Sequence, residues 1–310
     1  MKKLILGRTG IEVTELCFGA LPMGPAQKNI PPEKSAEVVA EALRLGVNFI
    51  DTAQGYKTYA PIRMAMESTG IRPVIATKAP ASTYADMEAA IAEAREKLNI
   101  EVIDIFLLHA ARAEDNVCEA RKGALECLLD YKAKGILRAV GISTHVVQTV
   151  REAAEYSDID VVFPILNKIG MGILGGTRED MEDAVRRCFA QNKGVYLMKI
   201  LAGGNLIDDY IGAMEYGRSF NFPIALGMVS VAEVRMNVQY FNGGEINFTD
   251  ELKSAKKFYI IPGLCKKCGK CAETCHSGMI SGSPPAIDDS RCLKCGYCVA
   301  ACPQFAIRMI

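Results

Sequence analysis

The chain has 310 residues, half of them apolar, with equal numbers of acidic and basic side chains and so a formal net charge of zero. That length holds a large core plus a small second unit, and the balanced charge favours neither nucleic acid nor an acidic membrane surface as a partner. No apolar run approaches the ~20 residues of a membrane span, and the basic-then-apolar start at residues 1–6 is cut off by Gly7 and Arg8, far short of a secretory leader; a cytoplasmic protein is expected.

Residues 2–13 read as a hairpin turning at Arg8-Thr9-Gly10, and residues 16–19 as the first strand of a larger sheet. A Pro/Gly-rich loop, 22–32, leads into a helix over 33–45 whose Val38, Val39, Ala42 and Leu43 share one face. Strand and helix then alternate. Strands are expected at 47–52, 74–78, 103–109, 138–143, 161–166, 195–199 and 224–228. Helices are expected at 59–68, from a cap at Ser82 to 98, and at 117–134, 146–156, 178–192, 208–218 and 231–241. The glycines Gly170, Gly172, Gly175 and Gly176 read as a turn after the sixth strand, and a polar helix at 249–257 as a connector.

Eight strands alternating with helices over ~250 residues is the rhythm of a (β/α)₈ TIM barrel. The other fold with such alternation, a doubly wound open sheet, usually carries a G-x-G-x-x-G turn, which this sequence lacks. The expected division is a barrel over 1–255 and a small α+β unit over 256–310.

In such barrels sites form where strands end and the following loops begin. Asp51 closes the second strand in F-I-D-T-A, Tyr56 follows in the next loop, Lys78 closes the third strand in I-A-T-K, and His109 the fourth in F-L-L-H. Together with the opening L-G-R-T-G-I-E-V, these runs resemble the aldo-keto reductases, in order and spacing, across the whole barrel. The resemblance implies an oxidoreductase acting on a small carbonyl or alcohol, with these four residues as its catalytic set. A free tyrosine has a pKa near 10, and a neighbouring ammonium favours its anion. Lys78 is therefore expected to lower the Tyr56 pKa, Asp51 to keep Lys78 charged, and His109 to orient the substrate oxygen while Tyr56 exchanges a proton with it. Lys57, Tyr59 and Arg112 lie in nearby loops and are expected to be solvated surface.

The same resemblance implies a nicotinamide, NADH or NADPH, along the barrel mouth. Ser143 and Asn167 stand where that family contacts the nicotinamide end, and Gly227 and Asn237 fit its phosphate segment. Phe163, however, falls where a glutamine is usual, and Met198 or Lys199 where a tyrosine stacks on the ring. Glu233 lies near the position of an arginine that grips the 2′-phosphate, which favours NADH or no nicotinamide, with Arg235 as a replacement cation. Lys199 is placed to meet a phosphate or a substrate carboxylate.

The last stretch holds two cysteine ladders, Cys265, Cys268, Cys271, Cys275 and Cys292, Cys295, Cys298, Cys302, each spaced C-x-x-C-x-x-C-x-x-x-C, with Pro303 after the second. Zinc, the plainer reading of paired C-x-x-C steps, does not account for a third cysteine at the next step, twice. The pattern resembles a bacterial two-cluster ferredoxin, in which the fourth cysteine of each ladder serves the other cluster. One [4Fe–4S] cluster is thus assigned Cys265, Cys268, Cys271 and Cys302, the other Cys292, Cys295, Cys298 and Cys275. His276 replaces the proline usual after the first ladder. The remaining cysteines, Cys17, Cys118, Cys127 and Cys188, read as buried small apolar residues.

Hydride moves two electrons and each cluster takes one, and no flavin motif reconciles them. Three readings stay open: a carbonyl/alcohol oxidoreductase whose clusters join the barrel to an external electron carrier, a nicotinamide-dependent barrel with a structural or docking cluster unit, and an electron carrier on an inactive barrel. The intact four-residue set favours the first over the third, and the altered nicotinamide positions favour it over the second.

Overall fold

Strands that are apolar on both faces need a parallel sheet with helices laid over it, and these strands are buried almost throughout, Ile103–Ala110 at all but one position. A computed structural model describes residues 1–112, 116–246, 257–293 and 295–309. A hairpin of Lys3–Ile5 (β1) and Glu12–Thr14 (β2) precedes the barrel. The barrel strands are Leu16–Gly19 (β3), Phe49–Asp51 (β4), Val74–Ala79 (β5), Ile103–Ala110 (β6), Leu137–Thr144 (β7), Val161–Pro164 (β8), Gly194–Val195 (β9), Leu197–Met198 (β10) and Ile224–Gly227 (β11). Their order in the parallel sheet is β10-β11-β3-β4-β5-β6-β7-β8-β9.

The two ends of that sheet are halves of one strand. Tyr196 separates β9, which pairs with β8, from β10, which pairs with β11. Its own N–H still donates to the Val162 carbonyl at 3.3 Å. Counted this way the ring has the eight strands expected and closes on itself. The eighth-strand, seventh-strand and first-strand segments are correspondingly short, and β8 stops at Pro164, which has no N–H to offer a neighbour.

Helices follow the strands: Pro32–Arg44 (α1), Tyr59–Thr69 (α2), Tyr84–Leu98 (α3), Val117–Ala120 (α4), Lys122–Ala133 (α5), Val147–Glu155 (α6), Arg178–Ala190 (α7), Tyr210–Arg218 (α8) and Val231–Phe241 (α9). Three expectations shift. The cap of α3 is Thr83, not Ser82: the Thr83 hydroxyl accepts from the Asp86 N–H at 3.2 Å. The single helix expected at 117–134 breaks at Arg121, whose guanidinium turns inward to donate to the His109 carbonyl at 3.1 Å. The helix at 208–218 begins as a tight 3-10 turn, Ile207–Asp209. The connector helix expected at 249–257, and the expected division at residue 255, fall on or beside residues 247–256, outside those described.

The small C-terminal domain is built on Phe258–Ile260 (β12) paired antiparallel with Ile307–Met309 (β15), and Ile280–Ser281 (β13) paired with Ala286–Ile287 (β14). Short helices, Lys270–Glu273 and Tyr297–Ala301, carry the third rung of each ladder, Cys271 and Cys298, inward. This domain docks over the mouth of the barrel. Phe305 is buried against the loop after β8 because Gly172 leaves room: a Cβ there would lie 2.3 Å from the Phe305 ring. Burial of a phenylalanine contributes roughly 1.5–3 kcal/mol. Arg112 is exposed, as expected, and from there donates to the Gln304 side chain at 3.0 Å and to its backbone carbonyl, joining the two units.

Candidate active site and cluster cradle

Strand ends set the level of the site. Asp51 closes β4, while Lys78 and His109 are the last residues but one of β5 and β6. Tyr56 ends a 3-10 turn, Gln54–Tyr56, that hangs from β4. Gly24 lets the Pro/Gly-rich loop lie directly on that turn, since a Cβ at Gly24 would sit 2.2 Å from the Tyr56 carbonyl oxygen. The structure thus brings the four sequence-derived residues together.

Lys78 is buried, and its Nζ donates to both Asp51 oxygens at 2.7 and 2.8 Å and to the Thr52 carbonyl at 2.8 Å. The Tyr196 hydroxyl donates to the same carboxylate at 3.0 Å. Above the pair, Lys78 Nζ lies 4.8 Å from the centre of the Tyr56 ring, and His109 meets that ring edge-on at 6.0 Å. Burial alone would lower the Lys78 pKa, but the Asp51 carboxylate and the Tyr56 hydroxyl together more than offset it, and the net shift is upward.

For Tyr56 the balance differs from the sequence-based expectation. Lys78 does pull the phenol pKa down, yet burial outweighs it and Asp51 opposes it, so the net shift is upward. The physical reason is first the burial of the phenol and then the Asp51 carboxylate, which offsets part of the Lys78 charge. Tyr56 is therefore a neutral hydroxyl, suited to donating a proton. Burial, then the cations Lys78, Lys199 and Arg121, push His109 down to about 3, so it is a neutral imidazole at ordinary pH.

Tyr56 and Asp51 open onto a cavity of about 170 Å³ at the barrel mouth, lined also by Phe163, Met198, Lys199, Gly227, Asn237 and, from the C-terminal domain, Arg308 and Met309. Lys78 is buried beneath that lining, and His109, part-exposed, adjoins it through its contact with the Tyr56 ring. Ligand pockets for larger organic molecules run about 300–1,000 Å³, so this one suits a compact molecule.

Of the residues expected to hold a nicotinamide, Lys199, Gly227 and Asn237 line the cavity, and several side chains already have partners within the chain. Phe163 stacks on Tyr196 at 3.8 Å and offers no amide. Asn167 uses its side chain on the Met171 backbone, donating and accepting at 2.9 Å. Asn237 accepts from the Tyr210 hydroxyl at 2.6 Å and donates to the Glu233 carbonyl at 2.7 Å. The Glu233 carboxylate accepts from the Val229 N–H at 2.8 Å. Arg235 does not replace the missing cation, because it pairs with Glu41 at 2.7 Å outside the cavity lining. Ser143 is buried in β7 opposite Phe163. Gly227 is pressed by Pro22, whose Cγ a Cβ would meet at 2.3 Å. Lys199 faces the cavity, held by His145.

Of the loop residues expected at the surface, Lys57 is exposed and pairs with Glu93 at 3.8 Å. Tyr59 is buried, its hydroxyl 2.7 Å from that of Thr77. The four scattered cysteines are buried, as expected, and no cysteine is disulfide-bonded among the described residues.

Cys265, Cys268, Cys271 and Cys302 line one small apolar cavity between the ladders, so the fourth member comes from the second ladder. Cys298 lies within electrostatic reach of Cys292, Cys295 and Cys275, and also of Cys271 from the first set. Backbone N–H groups point at the sulfurs: Lys267 to Cys265 at 3.4 Å, Met279 to Cys275 at 3.3 Å and Ala306 to Cys302 at 3.4 Å. Such N–H···S bonds stabilise thiolates that carry an iron–sulfur cluster and adjust its potential. Four thiolates around an apolar void with amides aimed at them fit that chemistry. His276, in place of proline, packs edge-on against Tyr297 at 5.5 Å.

Four neighbours of the site escape the sequence reading. Tyr196 and His145 each lie within a few residues of a recognised position, but only the ring closure shows which way they point. Arg308 and Met309 are remote in sequence and reach the barrel through β15. The one available signal was the A-G-G run at 202–204, whose glycines the docked strand requires.

The family model described as the aldo/keto reductase family matches residues 15–221, and that of a 4Fe-4S dicluster domain matches residues 257–303. An uncharacterized oxidoreductase of Bacillus subtilis, YqkF, is 26% identical over 176 residues, 51% of this chain and 54% of that protein. The chain spans about half the length of the curated relatives it matches. The holo form of aldo-keto reductase AKR11C1 from Bacillus halodurans superposes with a TM-score of 0.64 at 20% identity, covering 82% of this chain and 94% of that one. A Bombyx mori aldo-keto reductase in complex with NADP gives 0.60 at 16% identity, covering 82% and 91%. At these identities the structural likeness speaks to the fold.

Proposed function

Since the chain belongs to the aldo/keto reductase family and carries a 4Fe-4S dicluster domain, we propose that it is an oxidoreductase that interconverts a small carbonyl and its alcohol with electrons delivered through the C-terminal domain. Carbonyl reduction takes two electrons, both from the external carrier, and two protons, one passed to the oxygen by Tyr56 and one taken up at carbon from solvent. Tyr56 donates a proton to the carbonyl oxygen, Lys78 and Asp51 set the charge beneath it, and His109 orients that oxygen as a neutral hydrogen-bonding group. Cys265, Cys268, Cys271 and Cys302 would hold one [4Fe–4S] cluster and Cys292, Cys295, Cys298 and Cys275 the other. When bound, each supplies electrons singly, drawn from an external carrier. Exposed Cys295, Leu293 and Tyr297 lie on the outward side of the second set. Eight free thiolates suit a reducing, cytoplasmic setting.

The observation that carries this reading is that Tyr56 and Arg308, one from each domain, line a single cavity. A second reading, nicotinamide-dependent reduction with a docking cluster domain, is favoured by the NADP bound to the Bombyx relative. The occupied amides of Asn167 and Asn237 and the stacked Phe163 weigh against it.

Serine substitutions read by iron and acid-labile sulfide content test the cluster assignment. Cys302→Ser and Cys265→Ser are each expected to remove about half of the iron, and the double variant no more than either alone. Cys302→Ser combined with Cys292→Ser should remove nearly all of it. If Cys302→Ser is instead redundant with Cys292→Ser, the crossed ligand sets are wrong. A chain that still reduces carbonyls at full rate with both clusters gone contradicts delivery through this domain.

A further inference from the structure

Lys199 and Arg308 approach the same cavity from opposite domains. Lys199 follows β10 with its backbone in the left-handed region (φ 61°), a conformation rare for a lysine that marks an over-determined position. It turns its Nζ to His145 Nε2 at 2.6 Å. Arg308 is 3% exposed, stacked over the Phe305 ring with 3.4 Å between the guanidinium carbon and the ring centre. Its stem crosses Gly203, where a Cβ would lie 2.4 Å from Arg308 Cδ; Gly204 similarly clears the Met309 carbonyl. Both glycines have positive φ. The loop after β10 is thus shaped to admit this arginine.

Neither cation has a carboxylate partner among the described residues. Among the described residues Arg308 donates to the Ile307 carbonyl at 3.2 Å and Lys199 to His145. Two carboxylates line the cavity, Asp51 and Glu233; Asp51 is taken by Lys78 and Tyr196, and Glu233 accepts from the Val229 N–H. Cys302 is the one negative group that acts on Arg308, from the cluster side. A buried charge without a partner costs several kcal/mol, and two beside each other cost more. Burial, with Arg308, Lys78 and Arg112 nearby, holds Lys199 well below the ordinary lysine range, the signature of positive charge crowded into one place.

We propose that Lys199 and Arg308 form an oxyanion subsite, so that the substrate is a small oxo or hydroxy compound carrying its own carboxylate or phosphate. An arginine offers two parallel donors to such a group, and the arriving anion favours the protonated form of Lys199 beside it, which then acts as a point charge. With the anion held there, the reacting carbonyl lies in the same cavity as Tyr56. The proposal rests on the function above for the identity of the reacting group, but the subsite makes a prediction about binding alone.

The test is calorimetric titration of the anaerobically prepared, cluster-loaded protein with pyruvate, methyl pyruvate and inorganic phosphate. Pyruvate is expected to bind at least about tenfold more tightly than its neutral ester, and phosphate to compete with it. Lys199→Met, which leaves the docked domain untouched, and Arg308→Gln should each erase that preference, and Arg308→Lys should restore part of it. Tyr56→Phe should keep it, which separates failure of the subsite from failure of the catalytic reading. Competition by phosphate without any preference for pyruvate over the ester assigns the subsite to free inorganic anions and overturns the substrate claim. No saturable anion binding, or a preference unchanged in both Lys199→Met and Arg308→Gln, overturns the subsite itself.

Discussion

Tyr56→Phe is expected to lower the rate of carbonyl reduction by about 10²–10⁴-fold while leaving cluster content and dithionite reduction of the clusters unchanged. The substitution removes one hydroxyl from the cavity wall. The ring stays, with its edge-on contact to His109 and its position over Lys78, so the loss falls on proton transfer and not on packing. Anaerobic turnover with a reduced one-electron dye measures it. Because burial and nearby cations keep His109 neutral down to about pH 3, the pH profile of the wild-type rate should contain no step near the ordinary histidine value. Turnover by Tyr56→Phe at the wild-type rate would remove Tyr56 from the mechanism.

Lys78→Met should cost about 3–5 kcal/mol of stability, because it leaves the Asp51 carboxylate buried without its cation. Tyr196 alone would remain as a hydrogen-bond donor from a side chain to that carboxylate. The same variant should be nearly inactive. Replacing both partners, Asp51→Leu with Lys78→Met, should recover most of the stability and none of the activity, since a buried ion pair can often be exchanged for apolar groups at little cost. Urea unfolding of the three variants checks the first part and dye-linked turnover the second. A Lys78→Met protein as stable as wild type would mean that the pair is not the charged unit its geometry implies.

The barrel and the ladders are legible in the sequence for different reasons. Ladder spacing is covalent chemistry: three close cysteines and a distant fourth survive any uncertainty in the fold, and the structure groups Cys302 with the first ladder accordingly. Asp51, Lys78 and His109 are legible because strand alternation and strand ends fix their height in a barrel. The sign of the Tyr56 shift was not legible, since it depends on how much water the hydroxyl loses, a property of the closed cavity. Helix boundaries failed where tertiary contacts overrode local pattern, as at Arg121, drawn inward to the His109 carbonyl. Arg308 was hidden for a simpler reason. It reads as an ordinary polar residue in a short C-terminal strand, and only the docking of β15 over Gly203 turns it into the cavity. Tyr59 is expected in solvent because the sequence shows a loop and not what packs over it, whereas Arg112 is exposed as expected and only its bond to Gln304 is hidden from the sequence.

The account stands most directly on where the barrel's electrons come from. Anaerobic EPR of the cluster-loaded protein, before and after NADH, NADPH or dithionite, asks that question in one experiment, with nucleotide binding followed in parallel by fluorescence. The account predicts reduced-cluster signals with dithionite, none with either nucleotide, no saturable nucleotide binding, and loss of the dithionite-induced signal when a carbonyl substrate is added. Tight NADPH or NADH binding, with carbonyl turnover that leaves the clusters in one redox state throughout, would contradict it and make the barrel a nicotinamide enzyme with a docked cluster domain.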